Sequence, residues 1–301
     1  MQVKYSRCAG IDVHKKDVAV CVLTGGAGPE PERERRQFST MTADLLELAD
    51  WLRQKGVQHV VMESTGVYWK PVWAVLAGEF ELTLANAAFV KNMPGEKTDR
   101  KDAGWLADLH RHGLVRASYV PRMEIQDLRE LTRYRAQVTA DRARVSNRIQ
   151  KVLEGANVKL GSVATDVMGV SGQKILESII AGETNAAKLA DQAVSHLRKK
   201  LPELERALEG NIRDHHRKML RLELAQWRFL DELLRQIEED IEVALRPFAE
   251  QRELLRTIPG VSEITAGVLL AELGTEMGAF PTAAHVCSWA GLCPGHNESG
   301  G

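Results

Sequence analysis

Two periods alternate along the first third of the chain. Short apolar runs of strand length, RCAGIDV (7–13), VAVCVL (18–23), HVVMES (59–64) and ELTLA (81–85), are separated by stretches whose apolar residues return every three or four positions. Runs of the first kind predict strands, and the 3.6-residue return predicts helices. The polar turn HKKD joins the first two runs into a predicted hairpin. RERRQFST (33–40) follows the Gly/Pro-rich GGAGPEPE and predicts a third strand. Thr40 is placed to cap a helix that carries Leu45, Leu46, Leu48, Trp51 and Leu52. Further helices are predicted from about Tyr68 and from about Lys101.

Beyond Arg122 the texture changes. Leu131, Val138, Val145 and Val152 recur every seven residues, with Leu128 and Ile149 three positions before the first and last of them. That spacing predicts one long helix to about Glu154 with a coiled-coil seam. Trp227, Leu230, Leu234, Ile237, Ile241 and Ala244 form a second seam, free to pair with the first or across a dimer, and Pro247 ends its helix. The predicted fold is α/β plus α. A ribonuclease H-like N-terminal domain spans 1–118, a coiled-coil and dimerisation region 119–246, and a helical C-terminal domain 247–301. Three strands in sequence followed by strand–helix alternation fit the ribonuclease H-like order.

Composition narrows the class. At 301 residues with 44% hydrophobic residues the chain predicts globular domains, and 40 basic against 41 acidic residues give no whole-molecule basic field. Four cysteines are too sparse for a disulfide-stapled secreted domain, so a reducing cytoplasm is expected. No apolar run approaches the ~20 residues that span a bilayer, so no membrane partner is expected. The end of the chain, HNESGG, is expected to be a truncation.

The charges that matter are local. Asp12 falls at the end of the first predicted strand and Glu63 at the end of the fourth. Asp99 and Asp102, in KTDRKD, lie one turn apart where a helix starts. These places converge in a ribonuclease H-like sheet. Clustered carboxylates raise each other's pKa unless a dication neutralises them, and hard oxygen donors select Mg²⁺ or Mn²⁺. Two such ions ~4 Å apart can stabilise the attacking and leaving oxygens of a phosphoryl transfer. Lys97, Arg100 and Lys101 are then placed to meet phosphates.

The blocks GIDVHKKDVAV, MESTGVYW and KTDRKDAGWLADL, followed by IPGVSEITAGVLLAELG and WAGLCPGHNESGG, resemble the DEDD transposases of the insertion-sequence one-ten family. The resemblance covers most of the chain with its blocks in order. It implies a DNA recombinase with a RuvC-like domain, a coiled coil and a C-terminal transposase domain, guided by a structured RNA encoded by the element. It places Asp12, Glu63, Asp99 and Asp102 at the DEDD positions and makes Ser299 the nucleophile. A dimer or tetramer, in a bacterial cytoplasm at the nucleoid, is the expected assembly.

Two further regions carry candidate contacts. Residues 111–151 hold ten Lys/Arg against four Asp/Glu, and Arg129, Arg133, Arg135, Arg142, Arg144 and Arg148 are candidates to bind structured RNA. LLRTIPGVSEITAGVLLAEL has the form of a helix-hairpin-helix whose turn, at Pro259 and Gly260, would offer backbone amides to a DNA phosphate. A plain hairpin packing Ile258, Val261, Val268 and Leu269 into a core fits that stretch equally well. His285, Cys287, Cys293 and His296 have no usual zinc-finger spacing. Tyr68 and Trp69 suit either base stacking or core packing, and His14 suits a solvated turn. Two other functions remain: a RuvC-like Holliday-junction-resolving endonuclease with water as nucleophile, and a non-catalytic nucleic-acid-binding scaffold.

Overall fold

The computed structural model describes residues 2–26, 30–63, 66–86 and 102–292. Met1–Val120 and Pro121–Gly301 form two compact units.

In the first unit β1 (Arg7–Val13), β2 (Asp17–Thr24), β3 (Glu32–Ser39), β4 (His59–Glu63) and β5 (Glu81–Ala85) form one sheet in the order β3-β2-β1-β4-β5. The three N-terminal strands pair antiparallel, while β1–β4 and β4–β5 are parallel. This mixed five-stranded order fits the ribonuclease H-like expectation. Six of the seven residues of β1 are buried, because helices cover both faces and leave no polar alternation to read. Ala9, Ile11, Val13, Val60 and Met62 pack with Leu45, Leu48 and Leu52 of α1 (Thr42–Gln54) and with Val72 and Leu76 of α2 (Trp69–Leu76). On the opposite face, Cys8 and Cys21 meet Ala103 and Ala107 of α3 (Asp102–Arg111), and Val61 and Ala85 meet Leu106.

One expected cap is replaced. The N-cap of α1 is Met41, which makes no side-chain cap bond. Thr40 Oγ1 instead donates to the Lys15 carbonyl at 3.1 Å, and Ser39 Oγ accepts the Met41 N–H at 3.1 Å. Thr40 thus ties the end of β3 to the β1–β2 turn.

The second unit is helical. Two long helices, α4 (Met123–Gly155) and, further along, α9 (Asp214–Leu245), pack side by side. Between them lie α5 (Leu160–Val163), α6 (Val170–Ala181), α7 (Ala186–Ala190), a 3₁₀ turn (Ser195–Lys200) and α8 (Leu201–Leu208). After them come α10 (Ala249–Arg256), α11 (Glu263–Leu273) and α12 (Ala283–Trp289). The expected seam of α4 shifts at both ends: Thr132 and Leu153 are buried, while Leu131 and Val152 pack only partly against the core. The buried positions at the two ends thus depart from a single seven-residue repeat. Trp227 Nε1 donates to Ser146 Oγ at 3.0 Å across the pair. The two seams face each other within one chain and give no argument of their own for a second copy.

At the start of β1 and the end of α3 the Tyr5 ring lies 4.0 Å from His59 and 4.8 Å from His110. Burial, followed by the charges of His59 and Lys4, pushes the His110 pKa down to about 4, and its Nε2 has no hydrogen-bond partner among the described residues. An unfolded histidine titrates near 6.5, so between about pH 6.5 and 4 the unfolded chain binds a proton that the folded chain refuses. Stability therefore falls with pH across that window, by up to about 3 kcal/mol at its lower end. In urea unfolding at pH 7 and pH 4.5, His110→Leu should flatten this loss. Equal losses in variant and parent would remove His110 as its cause.

Candidate active site

The site begins with a missing side chain. A Cβ built on Gly10 would lie 2.2 Å from the Ala103 carbonyl oxygen and 2.6 Å from the Ala107 nitrogen. Both distances are far inside contact, so only glycine lets the backbone of α3 rest on β1. Small residues complete the fit from the helix side, at Ala103 and Ala107, one turn apart.

Alternation along the strands then decides which side chains look toward α3. Cys8 and Gly10 face it, so Asp12, two residues on, faces it as well. In β4 the facing residue is Val61, and Glu63 follows on the same side. The parallel register pairs Gly10 with Val61 and Ile11 with Met62, which makes Asp12 and Glu63 the next rung, on strands ~4.8 Å apart. Asp12 is 8% exposed and lies 3.1 Å from His14 Nε2. Glu63 is half-buried. The first residue of α3 is Asp102, next to Ala103, and contact at Gly10 brings that helix start to the same end of β1. Three of the four expected carboxylate positions are therefore brought together, Asp102 by its backbone.

The side chain of Asp102, and all of Asp99, Lys97, Arg100, Lys101 and Ser299, lie outside the described residues. Among the described residues no group of three metal-ligating side chains occurs. Asp12 and Glu63 supply two hard carboxylate donors on one rung of adjacent strands, a set that suits Mg²⁺ or Mn²⁺ and not a softer ion. The thiols beneath do not compete. Burial pushes Cys8 up to about 12 and raises Cys21 as well, so neither is a thiolate at neutral pH.

The six arginines of α4 all have partners within the second unit. Arg129 donates to the Ala271 and Glu272 carbonyls at 2.9 and 2.8 Å, satisfying two of the orphan acceptors at the end of α11. Arg133 grips the Glu272 carboxylate at 2.7 and 2.8 Å. Arg135 reaches Glu238 at 2.8 Å, and Arg148 reaches Glu223 and Gln226, each at 2.9 Å. Arg142 pairs with Asp231, with its guanidinium 5.5 Å from the Trp227 ring, and Arg144 pairs with Asp141. A basic count along one helix could not reveal these carboxylates, because four of the five sit on other helices.

The C-terminal hairpin has the expected elements. Its helices α10 and α11 flank a turn in which Gly260 takes φ +86°, a region that favours glycine. Ser262 Oγ caps α11 through the Thr265 N–H at 3.2 Å. Ile258 is 49% and Val268 39% exposed, so neither is a core residue in this unit. His285 Nδ1 is bonded to Thr282 Oγ1 at 2.7 Å at the start of α12, whereas Cys293 and His296 lie outside the described residues. Trp69 packs against the core and Tyr68 is exposed.

Gly10 is the position that reading for chemistry missed. The signal was present as Gly10 opposite Ala103 and Ala107, small residues at helical spacing.

Comparison with known proteins gives two family matches. A DEDD model of the IS110 type, described as Transposase, matches residues 9–158. A second, described as Transposase IS116/IS110/IS902 family, matches residues 252–301. No curated protein matches the chain.

The close approach at Gly10 is directly testable. Gly10→Ala forces α3 outward, at a cost of about 1–3 kcal/mol, and should lower the chemical-denaturation midpoint. A midpoint equal to the parent's would mean that α3 does not rest on β1.

Proposed function

The chain belongs to the IS110 family of transposases, and from that premise we propose that it cuts and rejoins DNA with the carboxylates at the ends of β1 and β4 and the start of α3. The observation that carries this reading is the convergence of Asp12, Glu63 and the first residue of α3 on one face of the sheet. Asp12, Glu63, Asp99 and Asp102 would hold Mg²⁺ or Mn²⁺, which when bound supplies a Lewis acid for the phosphate oxygens.

Ser299 is the proposed nucleophile. Its Oγ gives up its proton and forms a bond to phosphorus as the bond from phosphorus to the sugar oxygen breaks, and the departing sugar oxygen takes up a proton in exchange. The phosphoserine ester keeps the energy of the broken linkage, so attack by a free DNA hydroxyl reverses the chemistry and restores Ser299 without an external energy source. Glycines beside Ser299 allow close approach of a phosphate. Lys97, Arg100 and Lys101 would neutralise the flanking phosphates, and the turn amides at Gly260 would hold another.

A structured guide RNA, an oligomer of two or four copies and a cytoplasmic, nucleoid-associated setting complete the proposal. Functionally, 1–118 is the nuclease part, 119–246 the coiled-coil part and 247–301 the transposase part. The α4 arginines would reach RNA only by exchanging their carboxylate partners for phosphates. No helix among the described residues is long and apolar enough to cross a membrane.

The test uses the full-length protein with the element ends and guide RNA. Asp12→Asn, Glu63→Gln or excess chelator should abolish strand exchange while leaving the fold intact. Ser299→Ala should abolish the covalent protein–DNA adduct seen as a shifted band on denaturing electrophoresis. An adduct that persists in the alanine variant would remove Ser299 as nucleophile. Cleavage without any adduct would mean that water attacks, as in a junction resolvase.

A further inference from the structure

β3 lies at one edge of the sheet and reads Glu-Arg-Glu-Arg-Arg-Gln-Phe-Ser. Its alternate residues look to opposite faces. Phe38 stacks 5.7 Å from Trp51 of α1 and Arg36 lies 4.8 Å over the same ring. Arg33 and Arg35 therefore look to the α3 face, the face of Asp12 and Glu63.

The three arginines differ in charge balance. Arg33 holds both oxygens of Asp108 on α3, at 2.7 and 3.0 Å. Arg36 pairs with Glu34 at 3.2 Å. Arg35 is exposed and has no carboxylate partner among the described residues.

Its position is nonetheless held. Arg35 lies opposite Cys21 in the β2–β3 register, on the same face of the sheet. A Cβ on Gly104 would sit 3.2 Å from Arg35 Nη2 and 3.8 Å from Nε. The guanidinium thus lies in a notch left by glycine in the first turn of α3, two residues after Asp102. Cys21 in turn pairs with Gly10, so Arg35, Cys21, Gly10 and the start of α3 form one row beside the carboxylate rung.

We propose that Arg35 is a DNA-backbone contact of the active site, taking a phosphate next to the one being cut. This rests on the carboxylate reading above and adds a residue to it. A DNA strand carries a phosphate per ~3.4 Å of rise, so a strand with its scissile phosphate at Asp12 and Glu63 presents neighbouring phosphates to the row that crosses β2 toward β3. The planar fork of an arginine already seated beside Cys21 in a glycine notch meets a phosphate bidentately with little further ordering. Arg33, neutralised by Asp108, keeps α3 on the sheet and leaves this role to its neighbour.

The experiment measures binding of a labelled DNA duplex by the full chain, in chelator, across a salt series. Arg35→Ala should weaken binding about five- to tenfold at low salt and make the slope of log K against log salt shallower by about 0.9, the value of one lost phosphate contact. Gly104→Leu, which leaves the charge and fills the notch, should weaken binding in the same direction. Arg35→Lys should restore the slope without the full affinity. In strand exchange, Arg35→Ala should raise KM for DNA with kcat near the parent's, because a flanking phosphate is held equally before and during the reaction. An unchanged slope would overturn the proposal, as would an unchanged slope with a lowered unfolding midpoint, which would make Arg35 a structural tie. Asp12→Asn separates the two readings: if it still exchanges strands the carboxylate reading fails, whereas an inert Asp12→Asn with a parent-like slope in Arg35→Ala sinks only the present one.

Discussion

The first unit depends on a steric allowance at Gly10, where the backbone of α3 lies against β1 with no room for a methyl group. Most helix–sheet contacts are separated by a layer of side chains. Here that layer is removed at one rung, and the helix start comes down to the strand end that carries Asp12. Arg33 and Asp108 secure the same helix from the edge strand. Hydrophobic burial alone would hold α3 on the sheet without fixing its height or its start, because apolar attraction has no direction. The glycine and the bidentate ion pair supply what burial cannot, a defined height and start for α3 beside Asp12.

The second unit uses charge differently. Its two long helices face each other through an apolar stripe, flanked by arginines whose carboxylates lie largely on the partner helix. Exposed ion pairs of this kind contribute little stability each. They do set register, since Arg135, Arg142 and Arg148 meet Glu238, Asp231 and Glu223 in antiparallel order. A helix that appears strongly basic on its own is thereby close to neutral in its place.

What could be read from the sequence follows from this contrast. The five strands, the helices between them and the two long helices were legible because period and length are local properties, and their ends fell within a few residues of expectation. Asp12 and Glu63 were legible because strand ends in a known order define a place. Thr40 was misassigned because a helix cap and a turn tie use the same hydroxyl, and only the neighbouring Lys15 carbonyl decides between them. Leu131 and Val152 were expected in the seam because a seven-residue repeat is visible in the chain while the helices packed against each end are not. The carboxylate partners of the α4 arginines, and the part played by Gly10, stayed hidden because each depends on a residue far away in the chain.

The order of the strands also governs when the first unit is completed during synthesis. β1, β2 and β3 pair through short connections and can form as soon as they leave the ribosome, whereas β1 must wait for β4 to arrive on its other side and for α3 to close over Gly10. Contacts between distant segments form late, and an N-terminal domain emerging at ordinary translation speed exposes its strands for seconds before they are covered. Asp12 is among the first residues made, and α3, the last helix of the unit, begins only at Asp102. A nascent chain that has not yet made α3 therefore holds a sheet whose face at Gly10 is still uncovered.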